Sequence, residues 1–173
     1  YLEGQTLEAY VDSQQGRLPY EVVAAMLDPV LEALKAVHSE TLPDGSTMVH
    51  RDIKPQNLYI TNTGQVKLLD FGAARFAGGQ SDRSATAMGT EGYAALEQYQ
   101  RKTQGPWTDI YATAATWYRL LSGKTPMAAV ERLAEDPDPL VPPSAHGIEV
   151  PPEIESIWLK GLAVLPQDRW ATV

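Results

Sequence analysis

Two short β-rich runs, NLYIT (Asn57–Thr61) and QVKLLD (Gln65–Asp70), flank the tripeptide Asn62-Thr63-Gly64. Branched and aromatic residues on both sides of an Asn/Gly turn predict a β-hairpin. This hairpin constrains the chain more than any other feature, because a hairpin returns the backbone to its starting level. The polar cluster HRDIKPQN (His50–Asn57) enters it and LLDFGAAR leaves it. Asp52, Lys54 and Asn57 are therefore expected close to Asp70, with two carboxylates, an amide and an ammonium facing one small volume. Hard oxygen donors of this kind suit Mg2+ and phosphate, and a carboxylate beside them can accept a hydroxyl proton.

The rest of the pattern is helical. Pro19 opens a run with apolar residues at Val22, Val23, Met26, Val30, Leu31, Leu34 and Val37, the spacing of one helix face. Pro29 lies inside the run. An interior proline costs about 3 kcal/mol, so a bent helix or a restart is expected, ending near His38. Ser39–Met48 reads as a polar loop. Helical pattern returns at Trp107–Leu121, closed by Gly123 with Pro126 beyond, and again at Glu153–Val164. The proline-rich Glu135–Pro143 reads as a connector. The predicted class is mostly α with one small β-hairpin, followed by a long irregular segment.

Composition narrows the function. At 173 residues the chain has the length of one domain, with 43% apolar residues for a core. Lys and Arg number 14 against 22 Asp and Glu, for a net charge of −8. That sign opposes a nucleic-acid footprint but permits phosphate chemistry in which a metal ion supplies positive charge. No cysteine is present, which excludes disulfides and thiolate metal sites and fits a cytoplasmic setting, or the cytoplasmic face of a membrane-anchored parent. The longest apolar runs, such as Tyr111–Tyr118, fall short of a membrane-spanning helix.

Five segments together carry a resemblance. HRDIKPQN resembles the catalytic loop of eukaryotic-type (Hanks-type) protein kinases, and Asp70-Phe71-Gly72 their metal-binding turn. GTEGYAALEQ (Gly89–Gln98) is similar to the end of the activation segment. TDIYATAATWYRLLSGKTP resembles the buried helix beneath the site, and LPQDRW the late arginine motif. Order and spacing match the kinase C-terminal lobe over most of the chain, and five motifs in register are specific where one would not be. Lys54 points to the Ser/Thr class, and the A-A-x-E-Q-Y style of Ala94–Tyr99 to a bacterial member. The resemblance implies one domain over 1–173, with the catalytic loop at 50–57, the metal loop at 70–72 and the activation segment at 70–97. It also implies ATP and Mg2+ as cofactors and proteins with Ser/Thr acceptors as substrates.

The roles it implies differ by residue. Asp52 would accept the proton of the substrate hydroxyl, where a lone loop acid would otherwise be a surface residue. Lys54 would steady the transferring phosphoryl group. Asn57 and Asp70 would ligate magnesium; Asn57 on its own could simply start a strand. Tyr1 and Leu2 in the hinge, with Tyr59 and Leu69 on the floor, would meet the nucleotide. Arg51 would hold a phosphorylated activation segment through its fork of donors, with Ser81, Ser84 and Thr86 as acceptor sites, or pair with an ordinary carboxylate. Thr90 resembles the threonine that contacts the catalytic aspartate and lysine. His50 would be a packed anchor. Asp109, an acid at a helix N-terminus in its own right, would bond the catalytic-loop backbone. Glu97 and Arg169 would form a buried ion pair. His38 and His146 have no partner pattern and read as surface residues.

Departures from the family pattern also carry expectations. Leu96 replaces the usual proline before Glu97, which predicts a looser substrate-presenting turn. Nothing before Pro19 offers a glycine-rich phosphate loop, a strand lysine or its glutamate partner. The chain therefore reads as a C-terminal lobe whose N-terminal lobe is missing, inactive alone because positioning dominates phosphoryl transfer. The uncovered face would favour self-association, or exchange of the Phe71–Gln98 segment. Two alternatives remain: a pseudokinase or lobe-only binding module, and a kinase-fold enzyme acting on a small molecule. Retention of Asp52, Lys54, Asn57 and Asp70 opposes the first, and the activation segment opposes the second.

Overall fold

A computed structural model describes residues 3–41, 43, 45–69, 75–76 and 90–173, with 75–76 described as backbone only. The helical share dominates, and two small antiparallel sheets lie among the helices. The central element is α4 (Pro106–Ser122). Pro106 fits its first turn, where a missing N–H costs nothing, and Gly123 closes it at φ +73, donating its N–H to the Arg119 carbonyl. Every residue from Thr108 to Leu121 is buried. A helix covered on all sides is a core helix, and the others pack around it.

Helix α2 (Tyr20–Ser39) buries Val23, Met26, Leu27, Val30 and Leu34. Two details differ from expectation: Leu27 is fully covered, whereas Val22 is 36% exposed. The helix also runs unbroken through Pro29. Pro29 and Ala25, whose carbonyl loses its partner, both lie on the exposed side, where water can satisfy that carbonyl. Burial of the opposite face carries the helix past the proline. Helix α6 (Pro152–Gly161) meets α4 closely: a Cβ on Gly161 would stand 3.1 Å from that of Ala114. Trp117 and Trp158 stack across the same contact, centroids 5.4 Å apart.

The hairpin forms from β3 (Leu58–Thr61) and β4 (Val66–Leu68), in register Leu58↔Leu68, Tyr59↔Lys67 and Ile60↔Val66. Gly64 adopts φ +79 in the turn, a conformation that glycine supplies without strain. The hairpin is not alone. Strand β1 (Gly4–Thr6) pairs antiparallel with β3, giving the order β1-β3-β4. A second ribbon joins β2 (Met48–Val49) to β5 (Arg75–Phe76). These strands are two or three residues long, too short for an alternating pattern to show. Helix α1 (Leu7–Ser13), capped by the Thr6 hydroxyl accepting from the Ala9 N–H, follows β1 directly. Arg119 of α4 fastens it through Glu8, Asp12 and the Gly16 carbonyl.

The remaining elements are the short helices α3 (Leu96–Tyr99) and α5 (Ala129–Arg132). Arg132 is buried and donates to both oxygens of Asp138 and to the Leu162 carbonyl, tying α5 to the connector and to the end of α6. No described helix is long and apolar enough to cross a membrane.

Candidate active site

Residues 50–57 leave β2 and turn into β3 through a single 3-10 turn, Pro55–Asn57. Val49, His50 and Ile53 are fully buried, whereas Asp52, Lys54 and Asn57 remain partly exposed. Buried anchors thus hold the loop while Asp52, Lys54 and Asn57 keep access to solvent. Asn57 Nδ2 donates to the Asp52 carbonyl and to Asp52 Oδ2, both at 2.7 Å. Lys54 Nζ pairs with Asp52 Oδ1 at 2.9 Å and donates to Thr90 Oγ1 at 2.7 Å. Four side chains from residues 50–57 and the segment before α3 therefore form one bonded group. With its amide nitrogen turned to Asp52, Asn57 presents its carbonyl oxygen as the end able to face a cation.

Backbone geometry here is costly and is held by α4. Arg51 has φ +74, an unfavourable region for a residue with a Cβ. Asp109, fully buried in the first turn of α4, accepts the Arg51 N–H on Oδ1 and the His50 N–H on Oδ2, each at 2.8 Å. The same Oδ2 lies 2.8 Å from His38 Nε2. His38 is thus not a surface residue: its side chain is 7% exposed and joins the end of α2 to the carboxylate that holds the loop. Its partner is 71 positions away, so no local pattern announces it. His146 is half-buried in a 3-10 turn.

The segment before α3 is ordered by a second set of bonds. Tyr93 and Ala94 donate their N–H groups to the Thr90 carbonyl, and Gly92 adopts φ +84 beside Thr125 and Pro126. Burial pushes the Tyr93 phenol up from its ordinary value. Leu96, in the place of the usual proline, is 3% exposed. At the opposite edge Glu97 and Arg169 meet at 2.9 Å, with side chains 1% and 0% exposed. Thr108 adds a hydroxyl to Glu97 Oε1, and Arg169 donates further to the carbonyls of Trp107, Ala163 and Val164. Its guanidinium also lies over the Tyr111 ring, at 4.7 Å.

The other candidate residues divide into placed and unplaced. Tyr59 lies half-buried in β3, opposite Thr6 and Lys67. Leu69 is half-buried and donates its N–H to the Asn57 carbonyl at 2.9 Å. Leu69 is therefore bonded to the end of the 50–57 loop, and Arg75 pairs with Val49 just before that loop begins. Arg51 is buried. Asp70, Phe71, Gly72, Ser81, Ser84, Thr86, Tyr1 and Leu2 lie outside the described residues. Among the described residues no group of three or more His, Asp or Glu side chains is placed to hold a metal ion. Of the two residues expected to ligate magnesium, Asn57 is described, and its amide oxygen is a hard donor of the kind Mg2+ accepts.

Residues 1–154 match the family model described as protein kinase domain. The chain is 34% identical to a probable serine/threonine-protein kinase PknB of Corynebacterium glutamicum, over 99% of this chain and 27% of that protein. It is 35% identical to serine/threonine-protein kinase PknL of Mycobacterium tuberculosis, over 98% of this chain and 42% of that protein. Among solved structures it resembles the apo form of PpkA-294, with a TM-score of 0.79 and 30% identity over 99% of this chain and 58% of that one. The chain thus spans well under half the length of these curated relatives.

Proposed function

The chain belongs to the protein kinase family, in its bacterial Hanks-type Ser/Thr branch, and from that premise we propose that it carries the catalytic and substrate-binding half of a kinase that phosphorylates Ser or Thr of proteins using ATP. One observation carries the reading: Asp52, Lys54, Asn57 and Thr90 form a single bonded group at the edge of a hairpin. Asp52 takes the proton of the attacking hydroxyl, its carboxylate aimed by the Asn57 amide. Lys54, held between Asp52 and Thr90, neutralises charge on the transferring phosphoryl oxygens. Asn57, with Asp70, would hold Mg2+, which supplies positive charge to the phosphates when bound. Tyr59 and Leu69 line the nucleotide side. Arg51 receives a phosphorylated Ser81, Ser84 or Thr86 as the regulatory contact.

Phosphate alignment is the part these 173 residues do not supply, since they contain no G-x-G-x-x-G run. Positioning provides most of the acceleration in phosphoryl transfer. We therefore assign this lobe the proton acceptor and metal ligands, and assign phosphate alignment to a second lobe acting in the cytoplasm with it. The uncovered cleft is also a surface for self-association, which light scattering across a concentration series reads directly. The test of activity is Mg2+-dependent phosphorylation of a Ser/Thr peptide, with and without a phosphate-aligning lobe. Transfer only with that lobe is the expected result; equal transfer by the 173-residue chain alone would refute the division of labour.

A further inference from the structure

Gln98 lies at the third position of α3, 8% exposed, and both ends of its amide are used. Its Oε1 accepts the N–H of Ala95 at 2.9 Å, and its Nε2 donates to the carbonyl of Arg51 at 3.0 Å. The first bond caps a four-residue helix that is too short to hold itself. The second crosses 47 positions to the residue with the left-handed backbone in the catalytic loop. Asp109 holds the N–H side of that residue, and Gln98 holds its carbonyl side. Leu96, in the place of proline, leaves the turn without a rigid ring, and the Gln98 amide supplies the constraint instead.

We propose that Gln98 is a positioning residue: one amide locks the substrate-presenting segment Thr90–Leu96 in register with the catalytic loop that carries Asp52. Among the described residues Lys54–Thr90 also ties these two segments, and the two ties flank Thr90–Leu96. A segment fixed at both ends cannot slide relative to Asp52, and a small misplacement of an acceptor hydroxyl costs much of the rate. The inference deepens the kinase reading above and rests on it for its catalytic consequence. The coupling between the segments is a property of this chain whether or not it transfers phosphate.

Three variants separate the two bonds. Gln98→Ala removes both. Gln98→Glu, ionised, still accepts from Ala95 but has no proton for the Arg51 carbonyl. Gln98→Met keeps the length and loses both bonds, so it reports on packing alone if alanine leaves a void. Amide hydrogen exchange on the 173-residue chain is the direct readout, at Ala95 for the cap and at Arg51 and Asn57 for the loop. The Arg51 and Asn57 amides are expected to exchange about tenfold faster in all three variants, the worth of one buried hydrogen bond, and that of Ala95 only in Gln98→Ala and Gln98→Met. Acceleration confined to Ala95 would overturn the coupling. In a polypeptide that phosphorylates peptide, Gln98→Glu is expected to lower kcat/KM for peptide about tenfold while KM for ATP stays within about twofold. Unchanged kcat/KM, or an equal loss in nucleotide binding, contradicts a positioning role. Because exchange requires no phosphoryl transfer, failure of the kinase reading and failure of this inference give different results.

Discussion

Asp109 Oδ1 accepts the N–H of Arg51, a residue at φ +74, and that bond pairs with one from His50 to the other carboxylate oxygen. One fully buried acid thus sets the backbone where the 50–57 loop begins. Removing it leaves two buried N–H groups unsatisfied, each worth about 1–3 kcal/mol. Asp109→Ala is expected to lose about 2–6 kcal/mol of unfolding free energy in urea, the range for two such groups together. Asp109→Asn, which keeps one acceptor, is expected to lose less. Equal stability of all three proteins would contradict the account.

The Glu97–Arg169 pair connects α3 to the residue that follows the 3-10 turn Pro166–Asp168, out of water. Arg169→Met strands a buried carboxylate and is expected to cost about 3–5 kcal/mol. Adding Glu97→Gln in the same chain should recover part of that loss, since the charge is then gone while Thr108 can still donate. Additive losses in the double variant would show that the two side chains do not act as a pair.

Gly92 sits at φ +84, and a Cβ there would stand 2.4 Å from the Thr125 methyl and 2.6 Å from the Pro126 carbonyl oxygen. Conformation and space both exclude a side chain. Gly92→Ala is expected to cost about 1–3 kcal/mol from backbone strain alone, read by thermal denaturation. A neutral result would mean that the Thr125–Pro126 loop yields easily.

Asp138 lies below its ordinary carboxyl value of 3.8 because Arg132 donates to it, against a smaller opposing effect of burial. A folded value below the unfolded one means that the proton binds better to the unfolded chain. The pair therefore contributes fully above about pH 4, the unfolded carboxyl value, and that contribution fades as pH falls through the depressed folded value. The Asp138 carboxylate is 42% exposed, so salt should weaken the effect. Asp138→Asn is expected to flatten the fall in stability below about pH 4; an unaltered profile would assign acid lability elsewhere.

The hairpin was legible because Asn62 and Gly64 mark its turn and the flanking residues prefer strands. Helix α4 was legible from its apolar run and its closing glycine. The strands around Gly4–Thr6 and Met48–Val49 were not, since two or three residues show no period. His38 was misread for a different reason: its partner Asp109 arrives only when α2 and α4 pack together. Gln98 did leave a local trace, a glutamine three residues past a helix start, where such side chains reach back to the backbone. Its longer bond to Arg51 had none. The unbroken course of α2 through Pro29 was not legible, because sequence alone does not say which face of a helix will meet water.

The most direct test of the central claim is turnover of Asp52→Asn in a polypeptide that supplies both lobes. Asparagine preserves the shape of the side chain but removes the base. Peptide phosphorylation is expected to fall at least ~10²-fold, the lower range for a general base, with ATP affinity unchanged. Turnover equal to that of the parent protein would contradict the role of Asp52 and, with it, the functional reading of the hairpin site.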